Sequence, residues 1–117
     1  MQQISVTQLA SRLNSTEALS EATGAEQKKS ALLLDVREPW EFETCHIPGS
    51  VLMPMHTVPA RMQELEPDDE IICICHHGGR SMHVVKFLMG QGFSNVINLS
   101  GGVHAWANEV DSTMPTY

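Results

Sequence analysis

The sequence predicts an α/β domain in which helices cover both faces of a parallel sheet. Short apolar, β-branched runs recur at Ala31–Val36, Glu70–Ile74 and Asn95–Leu99, and stretches with apolar residues three and four apart stand between them. The strand-like runs are continuously apolar, as strands covered on both sides read. A chain of 117 residues that is 42% hydrophobic has room for one ordinary core, so a single domain over 1–117 is expected.

In order along the chain, Ile4-Ser5-Val6 reads as a short edge strand, and Thr7 is placed to cap a helix through Gln8–Leu13, with Leu9 and Leu13 one turn apart. Residues 14–30 are rich in Ser, Thr, Ala, Glu and Gln, carry Gly24 at their centre and offer little bulky apolar content beyond Leu19. They read as a surface insertion, partly helical. Ala31–Val36 is the first buried strand. Glu38–Thr44 follows as a short helix with Pro39 in its first turn, where a missing N–H costs nothing.

The turn His46–Ser50 leads to a third strand, Val51-Leu52-Met53, ended by Pro54. By this path Cys45 and His46 lie about one strand length from Cys75, so Cys45 is not assigned as a resolving thiol and His46 reads as a hydrogen-bonded turn residue. Val58–Glu66 predicts a helix with Met62 and Leu65 inward, which Pro67-Asp68-Asp69 turns into the strand before Cys75. Ser81–Met89 predicts a further helix and Asn95–Leu99 a fifth strand. Ser100-Gly101-Gly102 is a glycine turn, and Val103–Val110 a last helix with Trp106 buried. The turn lacks the spacing of a nucleotide loop, and close approach to the Cys75 segment explains its glycines. Asp111–Tyr117 reads as a tail over the sheet.

The formal net charge of −7 argues against nucleic acid and anionic membranes as partners. The start of the chain is too polar to begin a signal peptide, and no apolar run reaches the length of a membrane span. Three cysteines are an odd number, which favours free thiols and a cytoplasmic location. Cys73 and Cys75, two apart on a strand, would have α-carbons about 6.5 Å apart with poor disulfide geometry. Cys73 therefore reads as core. Cys73, Cys75, His76 and His77 cannot readily surround a zinc ion from one short segment, so neither metal nor cofactor is expected.

The chemistry points to Cys75-His76-His77-Gly78-Gly79-Arg80-Ser81, where a cysteine ends an apolar strand and a glycine-bearing loop carries the chain into a helix. In that order the loop N–H groups converge on the sulfur and the positive end of the helix faces it. Stabilising a thiolate enough to matter at neutral pH takes about 2 kcal/mol. One hydrogen bond to a charged group contributes about 1.5–3 kcal/mol, and a helix N-terminus about 0.3–1. Desolvation opposes this, so a nucleophilic role asks that Cys75 sit at the mouth of the loop and not beneath it. The competing reading is a core cysteine followed by an ordinary turn. Two histidines, two glycines and an arginine make a poor apolar plug and a good anion pocket, which favours the nucleophile.

The loop from Cys75 to Arg80 resembles the active-site loop of the single-domain rhodaneses. The likeness extends through Leu34-Asp35-Val36-Arg37-Glu38-Pro39-Trp40-Glu41-Phe42, His46-Ile47-Pro48-Gly49-Ser50 and Leu99-Ser100-Gly101-Gly102-Val103-His104-Ala105-Trp106. One departure is Cys45, where that family usually has glycine, and it bears on the local turn geometry. The family also crosses residues 14–30 in a shorter stretch. The resemblance implies a three-layer α/β/α fold with a five-stranded parallel sheet in the order one, five, four, two, three, and the Cys75 strand central.

It further implies a two-step sulfur transfer. A Cys75 thiolate takes the outer sulfur of thiosulfate or a similar donor, and the persulfide passes it to cyanide or a thiol. The N–H groups of His76, His77, Gly78, Gly79, Arg80 and Ser81 would hold the terminal sulfur, and Arg80 with His76 and His77 would offset the donor's charge. Asp35 and Arg37 have a catalytic reading and a structural one, in which Asp35 accepts loop N–H bonds and Arg37 pairs with a carboxylate. A small dithiol protein is a plausible acceptor for the family.

Two other classes stay open: a sulfur-relay or binding module working with a protein partner, and a cysteine phosphatase. Phosphatase loops place one more residue between cysteine and arginine, and a smaller ring of donors suits one sulfur better than three phosphoryl oxygens. Asp35 and Asp111 are the residues available as a phosphatase general acid.

Overall fold

Why strands and helices alternate here is visible in where successive side chains go. Leu33, Ile72, Ile74, Ile97 and Leu99 point to one face of the sheet, while Leu34, Ile71, Cys73 and Val96 point to the other, so each strand feeds two cores. The structure is a computed structural model that describes residues 2–23 and 31–117, with side chains described for 2–14 and 31–117.

Five strands, β1 (Gln2–Ile4), β2 (Leu32–Asp35), β3 (Val51–Leu52), β4 (Ile71–Ile74) and β5 (Val96–Leu99), form one sheet in the order β1-β5-β4-β2-β3. Every pairing is parallel, and Leu34 of β2 lies opposite Cys73 of β4, which lies opposite Asn98 of β5. The expected strand order and the three-layer arrangement are therefore observed. Helices α1 (Val6–Thr23) and α5 (Gly102–Glu109) cover one face through Val6, Leu9, Val103 and Trp106. Helices α3 (Val58–Arg61) and α4 (Gly79–Gly90) cover the other through Val58, Val84, Val85 and Leu88, and α2 (Pro39–Thr44) follows β2.

Several boundaries differ from those predicted. The first strand ends at Ile4, because Ser5 and not Thr7 starts the helix. The Ser5 hydroxyl accepts from the Gln8 N–H at 3.1 Å while the Gln8 side-chain carbonyl accepts from the Ser5 N–H at 2.9 Å, a reciprocal capping box that places Val6 inside α1. Helix α1 also continues past Leu13 to Thr23, so much of the expected insertion is helix, and its remainder, 24–30, lies outside the described residues. The helix predicted over Val58–Glu66 is a single α-turn between two 3₁₀ turns, Met55–Thr57 and Met62–Glu64. The approach of Pro67 favours extended backbone, which Leu65 already adopts. Among the described residues no helix is long and apolar enough to cross a membrane.

Candidate active site

The strands' carboxyl ends carry the site, as parallel sheets dictate. Cys75 is the residue after β4, followed by a bend that ends at Gly78, whose φ of +111° only glycine adopts without strain. Helix α4 then starts at Gly79, so its positive end faces the cysteine. The Gly78 N–H donates to Cys75 Sγ at 3.0 Å, and the Ser81 hydroxyl, from the first turn of α4, lies 3.4 Å from the same sulfur.

That hydroxyl is 2.5 Å from Asn98 Oδ1 in β5 and 3.2 Å from the Gly78 carbonyl. It has one proton, and Asn98 Oδ1, the Gly78 carbonyl and Cys75 Sγ all stand within its reach. Asn98 is buried, and its amide nitrogen reaches Gln3 Oε1 at 3.4 Å.

The loop is clamped from a second direction. The first N–H groups of α5 bind its carbonyls, Val103 to Cys75 and His104 to His76, each at 3.0 Å. A Cβ on Gly102 would come within 2.2 Å of the Cys75 carbonyl oxygen, so the glycine turn is explained by close approach to the loop, as the sequence suggested. With these carbonyls fixed outward against α5, the amide that follows is free to turn its N–H toward the sulfur.

Cys75 differs from its expected position. It is 1% exposed, set in the apolar cluster with Leu34, Val36 and Val84, and so lies beneath the loop instead of at its mouth. The physical reason is that α4 begins two residues earlier than Ser81, which draws Gly78 and Ser81 over the sulfur like a roof. Cys73 is a core residue, its thiol pushed up to about 12 by burial and then by proximity to Cys75.

Asp35 and Arg37 take the structural reading. Arg37 is fully buried and all five of its donors are used: Nε on Asp35 Oδ1 at 2.9 Å, Nη2 on Asp35 Oδ2 at 2.7 Å and the Cys45 carbonyl at 2.6 Å, Nη1 on the Glu41 carbonyl at 3.2 Å and Tyr117 Oη at 2.8 Å. Asp35 Oδ1 also accepts the Arg37 N–H at 3.1 Å. Arg37 thus ties the end of β2 to α2 and to the end of the tail. Burial alone would lower its pKa, but the bonds to Asp35 and Tyr117 outweigh that and raise it.

Two residues that the sequence did not single out complete the site. Glu41, 4% exposed, accepts both Arg80 Nη1 at 2.7 Å and Arg80 Nη2 at 2.8 Å, as well as the Glu38 N–H at 3.0 Å and the Tyr117 hydroxyl at 2.8 Å. Arg80 was expected to face the donor; instead its guanidinium is held to one side by Glu41, with its side chain still 36% exposed. The Arg80 bond, ahead of the opposing cost of burial, holds the Glu41 carboxyl down to about 2. Tyr117, pushed up to about 12 chiefly by burial, stays a neutral donor. Tyr117 therefore lies in the site, while Met114 of the same segment packs into the core.

His76 stacks on Tyr117 with ring centroids 4.4 Å apart, and its pKa is lowered by burial and then by His77 and His104. Both effects favour its neutral form. Cys45, placed about one strand length away by sequence, lines a small cavity together with His76 and Tyr117. The short α2 and the Arg37 bond to its carbonyl draw it in. Its thiol nevertheless belongs to the opposite core from Cys75, and its φ of −166° is extended backbone that needs no glycine. His46 is a turn residue, its Nδ1 2.9 Å from the Phe42 carbonyl.

The fold and the loop define a class: a parallel α/β domain carrying a cysteine beneath a backbone N–H donor at a helix N-terminus. The sequence matches the rhodanese-like domain over residues 15–109, and the chain belongs to that family. It is 40% identical over 79 residues to a sulfurtransferase of Allochromatium vinosum, covering 68% of this chain and 74% of that one. It is 37% identical to the thiosulfate sulfurtransferase GlpE of Pseudomonas syringae, over 74% of this chain and 81% of that one. Among solved structures, a rhodanese-like domain protein from Staphylococcus aureus superposes with a TM-score of 0.76 at 28% identity, covering 94% of this chain and 95% of that one.

Proposed function

We propose that the chain transfers a sulfane sulfur from thiosulfate or a related donor to cyanide or a thiol through a persulfide on Cys75. The observation that carries this reading is the Gly78 N–H donated to Cys75 Sγ at 3.0 Å, at the start of α4. A backbone donor and a helix terminus aimed at one sulfur favour its anion and leave little to be reorganised when the charge moves outward by one atom.

The thiol gives its proton to solvent, and the thiolate attacks the outer sulfur of thiosulfate. A new S–S bond forms on Cys75 as the old one breaks, and sulfite departs with the electron pair. Cyanide or a thiolate then attacks the terminal sulfur, and the Cys75 thiolate leaves, so no external oxidant or reductant is consumed. Because Cys75 lies under the loop, a donor reaches it when the bend His76–Gly79 parts, and the N–H groups from His77 to Ser81 then close on the terminal sulfur. The exposed edge of Arg80 offsets the donor's charge.

A phosphatase is disfavoured by the state of its possible acids. Asp35 is consumed by Arg37, and Asp111, exposed in the tail, is kept ionised by the Thr113 hydroxyl and N–H. A relay in which a partner persulfide or a small dithiol protein replaces the free anion uses the same cysteine.

Steady-state production of thiocyanate from thiosulfate and cyanide tests the proposal. Parallel double-reciprocal lines for the two substrates and loss of turnover in Cys75→Ser are expected. Turnover with a polysulfide or persulfidated protein alone would favour the relay, and turnover retained in Cys75→Ser would overturn the mechanism.

A further inference from the structure

We propose that His76, His77 and His104 form a site for a borderline transition-metal cation of the zinc class, at the lip of the loop that covers Cys75. One ring nitrogen from each of the three lies within 4.8 Å of the others. The ring centroids are 4.1 Å apart for His76 and His77, 4.8 Å for His77 and His104, and 5.7 Å for His76 and His104. A tetrahedral zinc ion with bonds of about 2.0–2.1 Å asks its nitrogens to stand about 3.3 Å apart. Small ring rotations close that gap, since His77 and His104 are exposed and His76 is half-buried.

What separates this cluster from three chance neighbours is its frame. Two ligands come from the Cys75 loop and the third from α5, and the His104 N–H bond to the His76 carbonyl at 3.0 Å locks the two segments together at the ligand residues themselves. Gly102 permits that approach and allows no side chain in its place. The His76 ring is also oriented by a neighbour, the stacked Tyr117 ring.

Three imidazoles from one side leave at least one coordination position open toward solvent, where water or a small anion binds. An ion there bridges the loop to α5 and so braces the roof over Cys75. The site lies on the bend that parts in the proposed transfer, and its test does not use that activity.

Titrating the untagged protein with cobalt(II) and reading the visible d–d absorption is the direct experiment, with zinc competing in a second titration. One equivalent is expected to bind with the spectrum of nitrogen ligation and to be displaced by zinc. His104→Gln, which keeps the size and polarity of the side chain, and His77→Ala are expected to weaken binding at least about tenfold, while His83→Ala, an exposed histidine on α4, leaves it unchanged. Circular dichroism shows that the variants are folded. Absence of a one-equivalent transition, retention of full affinity in folded His104→Gln, or a sulfur-to-cobalt charge-transfer band that vanishes in Cys75→Ser would each overturn the proposal.

Discussion

Glu41 holds Arg80 by a two-point ion pair, with Nη1 and Nη2 at 2.7 and 2.8 Å from the two carboxylate oxygens, and so fixes the closing residue of the Cys75 loop to helix α2. The same carboxylate takes the Tyr117 hydroxyl, which in turn accepts from Arg37, so one acidic side chain joins the loop, α2 and the end of the tail. Glu41→Gln keeps the size and removes the charge. Hydrogen bonds to charged groups contribute about 1.5–3 kcal/mol, and a loss of about 2–3 kcal/mol in urea unfolding at pH 7 is expected. A change under about 0.5 kcal/mol would show that the pair does not anchor the loop.

Acid should expose the same pair. The Arg80 bond lowers the folded Glu41 carboxyl from an ordinary 4.5 to about 2. The carboxylate's contribution is therefore complete above pH about 4.5 and is lost as pH falls through the folded value of about 2. Unfolding free energies measured from pH 7 downward should fall in that window for the wild type, and the fall should be shallower by about one proton in Glu41→Gln. Parallel profiles for the two proteins would refute the assignment.

Gly102 and Gly79 predict opposite outcomes for the same substitution. A Cβ at Gly102, where φ is +57°, meets the Cys75 carbonyl oxygen at 2.2 Å, so Gly102→Ala must push α5 away from the loop. A cost above about 3 kcal/mol and loss of Cys75 reactivity are expected. At Gly79, which opens α4, nothing lies within 4 Å, and Ala there should leave stability unchanged or raise it by up to about 1 kcal/mol. Thermal unfolding of the two variants side by side checks both.

Ser81 lies between Cys75 Sγ and Asn98 Oδ1, and all three are buried. Ser81→Ala leaves the Asn98 oxygen without its donor, at a cost of about 1–3 kcal/mol, and removes a polar neighbour from the sulfur. Persulfide formation, followed as the rate of mass gain with thiosulfate, should slow about tenfold. Unchanged stability and rate together would remove Ser81 from the site.

Strands β2, β4 and β5 and the Cys75 loop were legible because their signals are local: continuous apolar runs, and a cysteine with its glycines and arginine in seven consecutive residues; β1, Gln2–Ile4, carries no such run and was read two residues late. Sheet order came from the family resemblance and was observed. Glu41, Tyr117, Asn98 and His104 were not legible as site residues. Glu41 stands 39 residues from Arg80 and 76 from Tyr117, and nothing near it distinguishes a loop anchor from a helix-start glutamate. The depth of Cys75 was misjudged because it depends on where α4 begins, and the two glycines permit a start at Gly79 as readily as at Ser81.

The central claim, a Cys75 persulfide, is tested most directly by the intact mass of the protein after incubation with thiosulfate and removal of the excess, then again after cyanide is added. The wild type is predicted to gain one sulfur atom and to lose it to cyanide as thiocyanate appears, with no gain in Cys75→Ser. A gain that persists in Cys75→Ser, or no gain in the wild type with thiosulfate, polysulfide or a persulfidated protein, would contradict it.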